Sequence, residues 1–99
     1  MRIISRRTLR EFWDRRSHRD AVQPLRAWFA EVRRAVWRMP ADIKVAHRNA
    51  SFVGSDRVVF NIGGNKYRLV VAVKYSAQLV FIRFVGTHAE YDDIDAGEV

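Results

Sequence analysis

A chain of 99 residues with 18 Lys+Arg, 11 Asp+Glu and no cysteine carries a net charge of +7 and is 48% apolar. That is enough apolar material for a single domain over 1–99 with a modest core, and it excludes a disordered chain, a disulfide framework and a cysteine-based metal site. No stretch approaches the roughly 18 apolar residues of a membrane span, and "MRIISRRTL" lacks the apolar centre of a signal peptide, so a soluble cytoplasmic protein is expected.

The elements follow in chain order. "RII" at 2–4 is short and apolar and reads as an edge strand. Ser5 stands where an N-cap would begin a helix through residues 6–16, with Leu9, Phe12 and Trp13 at i, i+3, i+4. Asp20 is placed to cap a second helix, and Pro24 is tolerable only near its first turn. In that helix Leu25, Trp28, Phe29, Val32 and Val36 form one apolar face. Pro40 opens a brief helical turn over residues 41–47, and "NASFVGSD" reads as a loop.

From there the period changes from 3.6 to 2. "RVVFNI", "KYRLVVAV" and "LVFIRFV" are β-branched and aromatic strands, separated by "GGN" and "YSAQ". The tail "HAEYDDIDAGEV" is expected to form a short turn or helix and then a solvated acidic end. Helices first and an antiparallel meander afterwards make the fold class α+β, with the N-terminal helices packed on one face of the sheet.

Charge follows the same division. Residues 1–50 hold 13 basic against 5 acidic side chains, +8, whereas residues 51–99 hold 5 against 6, −1. Such asymmetry is the footprint of a surface for a polyanion, supplied by the helical half. A merely solubilising surface is the competing reading.

Strand alternation then assigns the faces. A two-residue turn at Gly63-Gly64 or Gly64-Asn65 puts Val58, Phe60 and Ile62 on one face with Tyr67, Leu69, Val71 and Val73. A four-residue second turn adds Val80, Ile82 and Phe84, and this face is the core. The other face collects Asn61, Lys66, Arg68, Arg83 and Val85. With Gly64-Asn65 as the turn, Asn61 lies opposite Arg68. Val70 then lies opposite Arg83, and the two arginines become diagonal neighbours about 7–8 Å apart. Two guanidinium groups this close suit a phosphate; pairing with Glu90 or Asp92 is the alternative. His88 and Tyr91 leave the sheet at the same end. His18, His47 and His88 are too scattered for metal-ligand spacing, and no serine or cysteine nucleophile motif occurs, so neither metal nor cofactor is expected.

"FNIGGNKYRLVVAV" followed by "IRFVGTHAEYD", behind a helical half with "LRAWFAEV", resembles the HigB-type toxins of bacterial toxin–antitoxin pairs, within the RelE/ParE superfamily. The resemblance covers essentially the whole chain. It implies an endoribonuclease that cuts mRNA on the translating ribosome, and a HigA-type helix-turn-helix antitoxin as partner. In the implied reaction the ribose 2′-hydroxyl attacks the adjacent phosphorus. Arg68 and Arg83 would stabilise the developing charge, His88 or Tyr91 would move protons, and Asn61 and Lys66 would position the nucleotide. The well-known RelE-type nucleases carry lysines on the strand that here offers only Arg57 and Asn61, so the general base stays open. ParE-like inhibition of DNA gyrase, or a basic ribosome- or RNA-binding module without chemistry, are the alternatives.

Overall fold

The computed structural model describes residues 1–99. Its elements run β1 (Arg2–Ile4), α1 (Arg6–Trp13), a 3-10 turn (Arg16–Ala21), α2 (Val22–Arg34), α3 (Pro40–Ala46), β2 (Ser51–Val53), β3 (Arg57–Ile62), β4 (Tyr67–Lys74), a second 3-10 turn (Tyr75–Ala77), β5 (Leu79–Thr87) and α4 (His88–Asp92). The expected α+β arrangement is what forms. The sheet order is β1-β5-β4-β3-β2. All neighbours are antiparallel except the edge strand β1, which pairs parallel with β5.

The core face is the one that strand alternation assigns. Val58, Phe60, Ile62, Tyr67, Leu69, Val71 and Val73 pack with Leu9, Phe12 and Trp13 of α1 and with Leu25, Trp28 and Val32 of α2. Burying each such large apolar side chain contributes about 1.5–3 kcal/mol, which is why the helical stripes seat on this face.

Several local expectations are corrected. α1 stops at Trp13 and gives way to the 3-10 turn, and Ser5 at its N-cap makes no side-chain capping bond. Ala21, not Asp20, occupies the N-cap of α2. That helix ends at Arg34, after which Ala35 turns extended and delivers Trp37 to the core at 3% exposure. Val36 therefore leaves the apolar stripe and is 63% exposed. Within the expected loop, Ser51–Val53 forms β2, because Gly54 at φ +65° reverses the chain onto β3.

The β3–β4 register matches the Gly64-Asn65 turn, with Asn61 opposite Arg68. The β4–β5 register matches only as far as Val71↔Ile82. A bulge then intervenes, and Val70 pairs with Phe84 rather than Arg83. A bulge places one extra residue against a single partner and flips the parity beyond it. Phe84 consequently lies on the second face and Val85 against the main core, the reverse of the expectation. The tail is not a solvated end either. Tyr91, Ile94, Ala96 and Val99 cover Val59 and Val70 on the second face, with Ala96 7% exposed.

Candidate active site at the hairpin end of the sheet

The β3–β4 hairpin and the start of α4 meet at one end of the sheet. Gly63 and Gly64 take φ of +64° and +70°, which a β-carbon would resist, and this tight reversal brings Asn65 back over Arg68. Arg68 is only 9% exposed. Its Nη1 donates to the carbonyls of Asn65 at 3.1 Å and Tyr67 at 3.2 Å, and its Nη2 donates to Asn65 Oδ1 at 2.7 Å. A guanidinium has five N–H donors, so Asn65 and Tyr67 fix its plane and leave two donors unspent. Neither Glu90 nor Asp92 pairs with it.

α4 begins where β5 ends because Thr87 and Glu90 form a capping box. Thr87 Oγ1 accepts from the Glu90 amide at 3.1 Å, and Glu90 Oε1 accepts from the Thr87 amide at 2.8 Å. The bond from the Thr87 amide is the main reason that the Glu90 carboxyl titrates below its ordinary range, with a smaller contribution from the Arg15 guanidinium. His88 is thereby set at the first position of the helix, and its amide donates to the Lys66 carbonyl at 3.1 Å. One turn on, Asp92 Oδ2 lies 3.2 Å from His88 Nδ1. A carboxylate there favours a proton on Nδ1 and leaves Nε2 as the basic nitrogen. The imidazole is half exposed.

The remaining expected residues divide. Asn61 faces Arg68 across the hairpin. Lys66 is at the site, but its ammonium donates to Asp20 Oδ2. Tyr91 packs half-buried with the Val59–Val70 cluster. Arg83 is not the diagonal neighbour of Arg68: the bulge separates them, and its guanidinium lies over the Phe81 ring, 5.5 Å from the centroid. Arg57 is spent elsewhere, donating to Asp56 Oδ1 and, at 2.9 and 2.7 Å, to the Val99 carbonyl.

Residues to which the sequence reading gave no part in the site support it from beneath. Asp20, from the 3-10 turn, accepts from both Lys66 Nζ and Tyr67 Oη. The Lys66 bond, then the Tyr67 bond, hold its carboxyl below the ordinary value of 3.8. Lys66 is raised chiefly by Asp20, and Tyr67 chiefly by burial and then by Asp20. His18 stacks on Phe12, with ring centroids 4.1 Å apart, and meets Tyr67 edge-on. The one signal available in the chain was T-x-x-E at 87–90, a capping-box pattern that fixes where His88 emerges.

A family model described as HigB_toxin, the RelE-like toxic component of a toxin-antitoxin system, matches residues 21–94. The chain belongs to the HigB toxin family. It is also similar to "mRNA interferase toxin HigB" of Escherichia coli (strain K12) and to "mRNA interferase HigB" of Shigella flexneri, 53% identical over 34 residues in each case. That stretch is 34% of this chain and about a third of the length of each relative. In this HigB-family chain the family match includes the β3–β4 hairpin, β5 and α4, and so every site residue expected from the sequence, whereas Asp20 lies just before it. No helix is long and apolar enough to cross a membrane.

Proposed function

We propose that this HigB-family toxin is an endoribonuclease that cuts mRNA on the translating ribosome. The observation that carries this reading is the pairing, at one sheet end, of a clamped arginine with unspent donors and a histidine oriented by a carboxylate. In the proposed reaction His88 Nε2 takes the proton from a ribose 2′-hydroxyl. The 2′-oxygen then attacks the adjacent phosphorus and displaces the 5′-oxygen, which takes its proton from water while the His88 imidazolium returns the 2′-hydroxyl proton to solvent. The products are a 2′,3′-cyclic phosphate and a 5′-hydroxyl.

Arg68 stabilises the charge that builds on the phosphoryl oxygens. Because Asn65 and Tyr67 already hold its plane, little reorganisation accompanies the reaction. Asn61 and Lys66 position the flanking nucleotide, and Tyr91 walls the site beside Phe84. Arg83, turned over Phe81, contacts the RNA backbone further along the sheet rather than the scissile phosphate.

Primer extension on a defined mRNA, with and without translating ribosomes, tests this. Cuts should appear during translation and fall by about tenfold or more in both Arg68→Ala and His88→Ala, the scale on which a lost proton carrier or charge stabiliser acts. Variants that stay folded and cut like the parent would remove these residues from the chemistry. Absence of cutting by the folded parent would turn the assignment toward gyrase inhibition or binding without catalysis. A parallel reaction on free RNA in EDTA asks whether cationic side chains alone suffice.

A further inference from the structure

Two arginines lie over two aromatic rings where α1 and α2 meet, and a third stands beside them. The Arg6 guanidinium lies 5.9 Å from the Trp13 ring centroid and 5.6 Å from that of Phe29, and Arg26 lies 5.9 Å from Trp13. With Arg33 they line a depression of about 510 Å³ between α1 and α2. None of the three has a carboxylate partner. The ion pairs of this molecule lie elsewhere, at Arg7–Glu11, His47–Glu31, Arg57–Asp56, Lys66–Asp20 and His88–Asp92. Three neighbouring cations without a counter-charge form a ready site for acidic groups.

The depression does not end there. Phe29 and Arg33 also line a second one, of about 830 Å³, whose floor is mostly apolar and includes Met1, Ile3, Val36 and Leu79. The two adjoin at Phe29 and Arg33, and we treat them together as one groove, cationic and aromatic on one side and apolar on the other. Val36, which the helical periodicity places in the core, is instead held out along this groove at 63% exposure.

We propose that this groove docks an acidic amphipathic segment of the antitoxin, which rests on the toxin–antitoxin reading given above. Carboxylates on the segment meet Arg6, Arg26 and Arg33, and its apolar side chains lie along Phe29, Val36 and Leu79. Arginine and aromatic anchors beside an apolar floor are the pattern of a protein interface. A sugar–phosphate backbone would use the arginines and leave the apolar floor without a partner. The groove meets β5 at Leu79, whereas His88 follows the far end of that strand. Nine residues at about 3.3 Å each put up to roughly 30 Å between them, so the apolar end of the groove lies far from the candidate active site.

The test titrates the purified chain with a purified HigA-type helix-turn-helix antitoxin. Parent, His88→Ala and the double variant Arg6→Glu/Arg33→Glu are compared, with circular dichroism as the check on folding. The result expected is parent-like affinity for His88→Ala and at least a hundredfold loss for the double variant, which still cuts mRNA like the parent. Arg6→Gln/Arg33→Gln, a milder change, should lose about tenfold and replaces the charge reversal if that variant does not fold. Unchanged affinity in a folded double variant overturns the groove while leaving the antitoxin reading intact. Retained affinity with lost translation-dependent cutting assigns the groove to ribosomal RNA and likewise overturns the proposal. If the parent itself does not bind, the antitoxin reading and the groove fall together.

Discussion

Gly86 shows how closely the site is built around individual atoms. It pairs with Arg68 on the neighbouring strand, and a β-carbon added to it would lie 2.5 Å from Phe84 Cζ and 3.1 Å from Glu90 Oε1. The Phe84 ring is packed in the second-face cluster and cannot swing away without unseating it. Gly86→Ala should therefore cost about 1–3 kcal/mol, the usual range for overpacking. A chain of this size would show that as a melting temperature lowered by roughly 4–8 °C per kcal/mol. An unchanged melting temperature would mean that Phe84 relaxes freely. Arg68 and His88 belong to the same scale. Each is held by short-range partners, Asn65 and Tyr67 for the guanidinium and Asp92 for the imidazole.

At the scale of elements, the 3-10 turn before α2 is tied to the β3–β4 hairpin through a single carboxylate. Asp20 accepts from Lys66 and Tyr67, and this joins the helical layer to the hairpin end of the sheet. Because the folded Asp20 carboxyl titrates below 3.8, its stabilisation is complete above that pH and is lost as the pH falls through the lower folded value. Lys66 and Tyr67 are displaced upward. Their shares are complete below 10.5 and 10.0, respectively, and are lost as the pH rises through the higher folded values. Asp20→Asn should lower the melting temperature at neutral pH and flatten its fall in the acid range below 3.8. Parallel acid limbs in parent and variant would show that the carboxylate carries no such linkage. The bulge in β5 acts at this scale too, since one extra residue moves Arg83 away from Arg68 and brings Phe84 beside the site.

Across the whole molecule, the sheet is covered on both faces: by the helices on one, and by the tail on the other. Ala96 is the buried point of that tail, against Val59 and Val70. Placing an unpaired charge there is strongly unfavourable. Ala96→Asp is expected to lift residues 94–99 off the sheet, visible as increased binding of a hydrophobic dye and faster amide exchange in β3 and β4. Exchange rates equal to the parent's would mean that the tail covers the sheet without protecting it. The charge has a molecular-scale distribution as well. The hairpin end of the sheet holds few free cations, and the unpaired arginines collect on the helical layer.

The elements and the core face were legible because both depend on local periodicity. Leu25, Trp28 and Val32 announce a helix, and the alternation in β3 and β4 assigns faces that the structure keeps. Asn61 opposite Arg68 followed from one of the two turn placements the sequence allowed, Gly64-Asn65, and the structure has that register. What tertiary structure decided is everything that hangs on a one-residue offset or a distant partner. A bulge leaves no mark in an apolar run, yet it reverses the faces of Phe84 and Val85. Val36 continues the helical period but is expelled because Trp37 fills the core instead. Asp20 looks like a helix cap in sequence, and only folding brings it to Lys66 and Tyr67, 46 and 47 residues away. Local spacing determines which side chains share an element; packing determines which of them meet, because contacts between elements depend on lengths and registers summed along the whole chain.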